Sequence, residues 1–206
     1  MDKEAIITLA GDGYAEFTEK KSVFIGSARP VTDEGEALEF IRNIRKKYSD
    51  ARHNVYAYSL RSGNITRYSD DGEPQGTGGL PVLEVIKKTG FNDAVIVVTR
   101  YFGGILLGTG GLARAYSQAA ADAVRNAGIV RYAPHSVFEV SLSYQDYNRL
   151  MGYLSGIKIL ECDFGGNVKL RIAVEKGAEK NFTVKILDET SGRALISATG
   201  EDYFSA

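Results

Sequence analysis

The tetrapeptide Gly-Thr-Gly-Gly occurs twice in this chain, at Gly76, Thr77, Gly78, Gly79 and at Gly108, Thr109, Gly110, Gly111, each time followed by leucine. Each copy stands just ahead of an apolar pattern of helical period. Glycines let the backbone adopt positive φ and approach a guest closely, and the first turn of a helix offers unpaired N–H groups with a partial positive charge. That combination suits an anion. Arg67, Arg100 and Arg114 lie near the two tetrads in sequence, and guanidinium forks match phosphate geometry. Gly103 and Gly104 extend the second glycine cluster. The plain alternative is that these glycines only permit close turns and tight helix-on-sheet packing.

Three carboxylates, Asp70, Asp71 and Glu73, precede the first tetrad. They suit a magnesium ion bridging to phosphate, or acid–base work, or simply an Asp-Gly turn with an Asx hydrogen bond followed by a Glu-Pro kink. His53 and His135 each open an expected strand. Neither has a spaced second histidine, so both read as structural, with His53 retained as a possible polar or metal-binding group. Gly103 and Gly108 have P-loop spacing, but Thr109 stands where the phosphate-contacting lysine belongs. Gly108 to Ala113 satisfies the loose dinucleotide pattern, yet six residues separate it from the preceding strand and no terminal acid follows. A Walker-type nucleotidase and a Rossmann cofactor are therefore not expected, and magnesium is the one cofactor these residues admit.

The elements that must hold these groups are legible from periodicity. Ala5 to Leu9, Tyr14 to Thr18, Ser22 to Pro30 and His53 to Leu60 read as strands, and Ala94 to Tyr101 as a continuous apolar strand covered on both faces. Ala37, Phe40, Ile41, Ile44 and Tyr48 mark one helix behind Thr32 and Asp33, Val82, Val85 and Ile86 a second from Pro81, and Leu112 to Ala127 an alanine-rich third. Arg61 to Gly76 reads as a polar loop. The strand at Val55, the helix from Pro81 and the strand at Val95 then form a strand-helix-strand unit with parallel strands, which puts both tetrads at one edge of the sheet. From Pro134 the pattern changes to β-α-β-β-α-β, the split βαβ plan, with a boundary at Ala133-Pro134. The expected fold is α+β in two domains, residues 1–133 and 134–206.

The chain is 206 residues long with 25 basic and 26 acidic residues, so no global field draws it to nucleic acid or an anionic membrane, and any such site is a local patch. One cysteine, Cys162, excludes an internal disulfide and reads as a small buried hydrophobe. The start Met1-Asp2-Lys3-Glu4 lacks the character of a signal peptide, and no apolar run is long enough to span a bilayer. A soluble, cytoplasmic protein is expected.

The segment Tyr68 to Pro81, followed by Val98 to Tyr116, closely resembles the IMPACT/YigZ family, and His53 to Tyr58 is similar to that family's histidine-bearing strand. The resemblance covers essentially the whole chain. One departure is Gly78, where the family usually has alanine. The resemblance implies a two-layer α/β first domain similar to ribosomal protein S5 domain 2, and a ferredoxin-like second domain similar to the carboxyl-terminal domains of elongation factor G. Eukaryotic members act in translational control and carry an additional RWD domain that has no counterpart here. For a two-domain chain the resemblance implies a non-enzymatic regulator that binds RNA or a component of the ribosome and translation machinery. The rival is an enzyme or binder acting on a phosphorylated small molecule, with Asp70, Asp71 or Glu73 holding magnesium. A protein-interaction module with purely architectural glycine loops is the third possibility.

Overall fold

The computed structural model describes residues 5–205; Met1 to Glu4, read above for their lack of signal-peptide character, lie outside the described residues. The chain divides into two compact units, Ile6–Val130 and the part from Arg131 onward.

The first unit contains β1 (Ile6–Leu9), β2 (Gly13–Glu19), β3 (Ser22–Pro30), α1 (Glu34–Lys47), β4 (His53–Leu60), β5 (Ile65–Ser69), α2 (Gly79–Thr89), β6 (Ala94–Tyr101) and α3 (Thr109–Ala127). Five of these strands form a sheet in the order β2-β3-β6-β4-β5, and every pairing is antiparallel. The expected parallel pairing of β4 with β6 is therefore overturned. The reason is β5, which turns the chain back inside the segment read as a polar loop. Because β5 and β6 both run antiparallel to the β4 between them, they point the same way, and the loops that follow them leave by one edge. The two tetrads do share that edge, through a different strand from the one expected.

Alternation along β6 sets the layers. Ala94, Ile96 and Val98 pack with α2 and α3, whereas Val95 and Val97 pack with Phe40, Ile41 and Ile44 of α1. Helices thus cover both faces, giving three layers where two were expected. The α1 start is fixed by Asp33, whose side chain accepts the Glu36 amide, while Glu36 reaches back to the Thr32 amide at 2.7 Å. The alanines of α3 explain how closely that helix lies on the sheet: a Cβ at Gly26 would stand 2.2 Å from the Ala119 carbonyl oxygen. Only a residue without a side chain fits beneath the helix there.

The second unit contains most of β7 (Ile129–Leu142), then α4 (Tyr144–Leu154), β8 (Lys158–Phe164), β9 (Val168–Glu175), α5 (Glu179–Glu189) and β10 (Leu195–Ser205). Its strands run in the order β10-β7-β9-β8, all antiparallel. One face is apolar: Phe138, Val140, Leu170 and Ile172 pack against Leu150 and Leu154 of α4 and Phe182 and Ile186 of α5. Strand β7 passes without interruption through Ala133-Pro134, so the chain carries no linker at the expected boundary. Two residues differ from expectation: Cys162 is exposed, and Met151, counted in the helix face, is 53% exposed.

Candidate functional site

The first tetrad already holds an anion, and that anion is Asp70. Its Oδ2 accepts the Gly76 amide at 2.9 Å, and its Oδ1 accepts those of Gly78 at 2.9 Å and Gly79 at 2.8 Å. The Thr77 amide donates to the Pro74 carbonyl at 3.0 Å. The carboxylate therefore caps α2 from a distance of several residues, using the charge that a helix start favours. Gly79 sits against the Ser69 backbone so tightly that a Cβ would come within 2.7 Å of it.

The neighbouring acids are tied as well. Asp71, at φ 43°, accepts the Asn54 amide at 2.7 Å through Oδ2 and pairs with Arg45 through Oδ1. The Oε1 atom of Glu73 accepts from Arg100 Nη1 and from the Tyr116 hydroxyl, both at 2.7 Å. A magnesium ion needs several carboxylate or carbonyl oxygens converging on one point. Asp70, Asp71 and Glu73 instead turn their oxygens to separate protein donors, and among the described residues no group of three or more His, Cys, Asp or Glu could hold a metal. These residues do not fit the ion.

Arg100 lies at the end of β6, between Phe24 of β3 and His53 of β4 in register. It is 5% exposed, with its guanidinium 5.5 Å from the Phe24 ring centroid and 5.4 Å from that of Phe102. The expected phosphate ligand is thus a buried partner of Glu73, and its Nε has no hydrogen-bond partner among the described residues. Burial and the Glu73 hydrogen bond push the Tyr116 phenol far above its ordinary value, so it stays a proton donor to the carboxylate. The Glu73 side chain is only 3% exposed, and the buried side-chain atom left without a hydrogen-bond partner in this cluster is the donor Arg100 Nε, among the described residues.

His53 completes the cluster. Its Nδ1 lies 2.9 Å from the Asp71 carbonyl, which can only accept, so in the neutral ring Nδ1 carries the proton and Nε2 a lone pair. Nε2 is 3.9 Å from Glu73 Oε1, too far for a hydrogen bond. A cavity of about 380 Å³ opens here, lined by His53, Glu73, Arg100, Phe102, Thr109 and Leu112, with Arg52 also on its wall.

The second tetrad forms another wall of that cavity and differs from the first. Gly108 at φ 71° turns the chain into α3, no side chain caps the helix, and its first internal bond runs from the Leu112 amide to the Gly108 carbonyl at 2.9 Å. The amides of Thr109, Gly110 and Gly111 consequently have no acceptor among the described residues. Gly103 brings the preceding loop onto the β2–β3 hairpin: a Cβ there would fall 2.0 Å from the Lys21 carbonyl carbon, and its amide donates to Ser22 Oγ at 3.1 Å. Arg114 and Lys20 line an adjoining hollow with Gly111, and neither they nor Arg52 has an ion-pair partner among the described residues. Gly104, at φ 82°, serves the same loop. Arg67 is not brought to the site: it pairs with Tyr58, on the α1 face of the sheet. The sequence reading missed Arg52, Lys20, Phe102 and Tyr116. Phe102 directly after a strand and 47% exposed is the one with a usable signal, an aromatic beside a glycine pair.

Comparison with known proteins agrees with the residues that built this site. The Impact N-terminal domain family matches residues 20–124. IMPACT family member YvyE of Bacillus subtilis (strain 168) is 36% identical over 192 residues, 92% of this chain and 88% of the relative. The chain belongs to the IMPACT family. A second IMPACT family relative, YigZ of Escherichia coli (strain K12), is 33% identical over 188 residues, 88% of this chain and 92% of its own length. A crystal structure described as that of a hypothetical protein is 30% identical, with a TM-score of 0.61 over 96% of this chain and 98% of the other. Every residue of the cavity named above lies within the segment matched by the IMPACT family domain.

Proposed function

We propose that this IMPACT family chain is a non-enzymatic factor that binds RNA of the translation machinery at the start of α3. The observation that carries this reading is the uncapped helix start, whose Thr109, Gly110 and Gly111 amides stand near Arg52, Lys20 and Arg114, cations with no ion-pair partner among the described residues. Open amides and free guanidinium groups bind phosphate, and exposed Phe102 offers a face on which an unstacked base can lie. With a net charge of -1, attraction comes from this patch alone. The link to translation rests on the family resemblance, and the β10-β7-β9-β8 order of the second unit supports a ferredoxin-like plan for a further contact surface.

Anisotropy titration of a short single-stranded RNA against salt tests the proposal. Affinity is expected to fall with salt, with a log–log slope of about -2 for three phosphates. Lys20→Ala and Arg114→Ala should each weaken binding of every sequence alike and reduce the slope by roughly 0.7. Undiminished binding in both variants overturns the reading. A small phosphorylated ligand is the rival, favoured by the same amides; tight binding of inorganic phosphate with no binding of RNA would select it.

A further inference from the structure

We infer that the cavity at the start of α3 receives a terminal phosphomonoester, the phosphorylated end of an RNA strand, in preference to a phosphodiester inside the strand. The inference deepens the RNA reading and rests on it for the polymer, though not for the phosphomonoester itself.

Two independent sets of unsatisfied donors border this cavity, and both ask for an acceptor. The first is the helix start, where the Thr109, Gly110 and Gly111 amides have no acceptor among the described residues and Gly108 and Thr109 form part of the cavity wall. The second is Arg100, which lines the same cavity from the end of β6 with a side chain 6% exposed. Its Nη1 donates to Glu73 at 2.7 Å and its Nη2 reaches Ser22 Oγ at 3.4 Å, while Nε is a buried donor with no partner among the described residues. A buried donor left without an acceptor is costly, and a guest that brings oxygens relieves it. Helix start and arginine come from different segments of the chain, so their meeting at one recess is a by-product of neither.

Charge narrows the guest further. Arg52 and Arg100 stand against the single carboxylate of Glu73 on this wall, and that carboxylate is already engaged by Arg100 and the Tyr116 hydroxyl. His53 is the remaining titratable group of the lining, and a proton gained there only adds positive charge. The adjoining hollow contributes Lys20 and Arg114 against Glu19. A phosphodiester inside a strand presents two unesterified oxygens and one negative charge. A terminal monoester presents three oxygens and roughly 1.5 to 2 negative charges at neutral pH, which matches three consecutive amides with cations beside them. At about 380 Å³ the cavity has the size of a small-ligand recess, suited to one nucleotide end rather than to a run of several. Phe102, 47% exposed, offers the base of that end nucleotide a face to stack on. No bond is made or broken.

The test uses the full chain and an RNA of about ten uridines labelled at an internal base, titrated by anisotropy with a 5′-phosphate, with a 3′-phosphate and with hydroxyls at both ends. One phosphorylated form is expected to bind about tenfold or more tightly than the hydroxyl-ended strand, the gain that an added charge and its hydrogen bonds supply. Comparing the two phosphorylated forms tells which end is taken. Thr109→Pro removes one open amide at the first helical position, where a helix tolerates proline, and should cut the preference several-fold. Arg52→Ala, at an exposed side chain, should do the same. In parallel, UMP is compared with its methyl phosphodiester by calorimetry, which separates the free monoester from the strand end. Equal binding of phosphorylated and hydroxyl-ended strands defeats the inference and leaves the RNA reading standing. A preference unchanged in both variants overturns it, and the wild-type comparison decides even where a variant fails to fold. UMP preferred over its methyl ester with no affinity for any RNA supports the monoester site and defeats the RNA reading, whereas binding of neither UMP nor RNA overturns both.

Discussion

Asp70 satisfies three amide donors with two oxygens, so its contribution is that of a charged cap rather than of a surface acid. Asp70→Ala is expected to destabilise the first unit by about 2 kcal/mol or more, since each hydrogen bond to a charged group carries roughly 1.5–3 kcal/mol and partial rehydration offsets some of it. Asp70→Asn keeps one acceptor oxygen and should cost less; urea denaturation of both variants checks the order. Glu73→Ala strands Arg100 in the interior and should cost roughly 3–5 kcal/mol, read the same way. The sequence showed these carboxylates to be special but not why. Asp70 reaches amides six to nine residues ahead, and Glu73 reaches Arg100 and Tyr116 from a different part of the chain, contacts that exist only after β3, β4 and β6 have paired. Spacing along the chain carries no trace of such partners, which is why magnesium looked possible and why Arg100 looked like a phosphate ligand.

At the level of the elements, α3 and α4 give sharper expectations. Gly26→Ala places a methyl group 2.2 Å from the Ala119 backbone oxygen, where a helix rather than a side chain must move. A loss of roughly 1–3 kcal/mol is expected, measured as a lowered thermal midpoint. At α4, Ser143 caps the Asp146 amide while Asp146 binds both the Ser143 hydroxyl and Arg193. The Arg193 guanidinium first, and the Ser143 hydroxyl second, hold the Asp146 carboxyl below the usual carboxylate range. A depressed value means stability that is present above the unfolded value of about 4 and lost as pH falls through the folded one. Wild type should therefore lose stability relative to Asp146→Asn on acidification, the two converging at low pH, which denaturation midpoints across pH would show. Helices and central strands were legible because their apolar period is strong: β6 is buried on both faces and reads as an unbroken apolar run. The edge strand β5 was not, because Thr66, Arg67 and Tyr68 bury one flank at most and leave hardly any alternation to see.

For the molecule entire, each unit owns its core. The clusters around Ile96 and around Val97 lie within residues 6–130, and the cluster around Ile172 lies beyond Arg131. A fragment ending at residue 130 should accordingly unfold in one cooperative thermal transition by circular dichroism and retain the RNA binding proposed for it. The division at 130/131 was nearly visible as a change of texture, but the continuity of β7 was hidden by Pro134, a residue more often found where strands stop. One arrangement reaches further than the fold. Six positions before Gly76 stands Asp70, and six before Gly108 stands Phe102, whose ring carries no carboxylate to take the place of that cap. The first glycine word comes with its own plug, and the second does not. Twin spellings in one chain thus serve as lock and keyhole, and soaked phosphate should find the latter while ignoring the former.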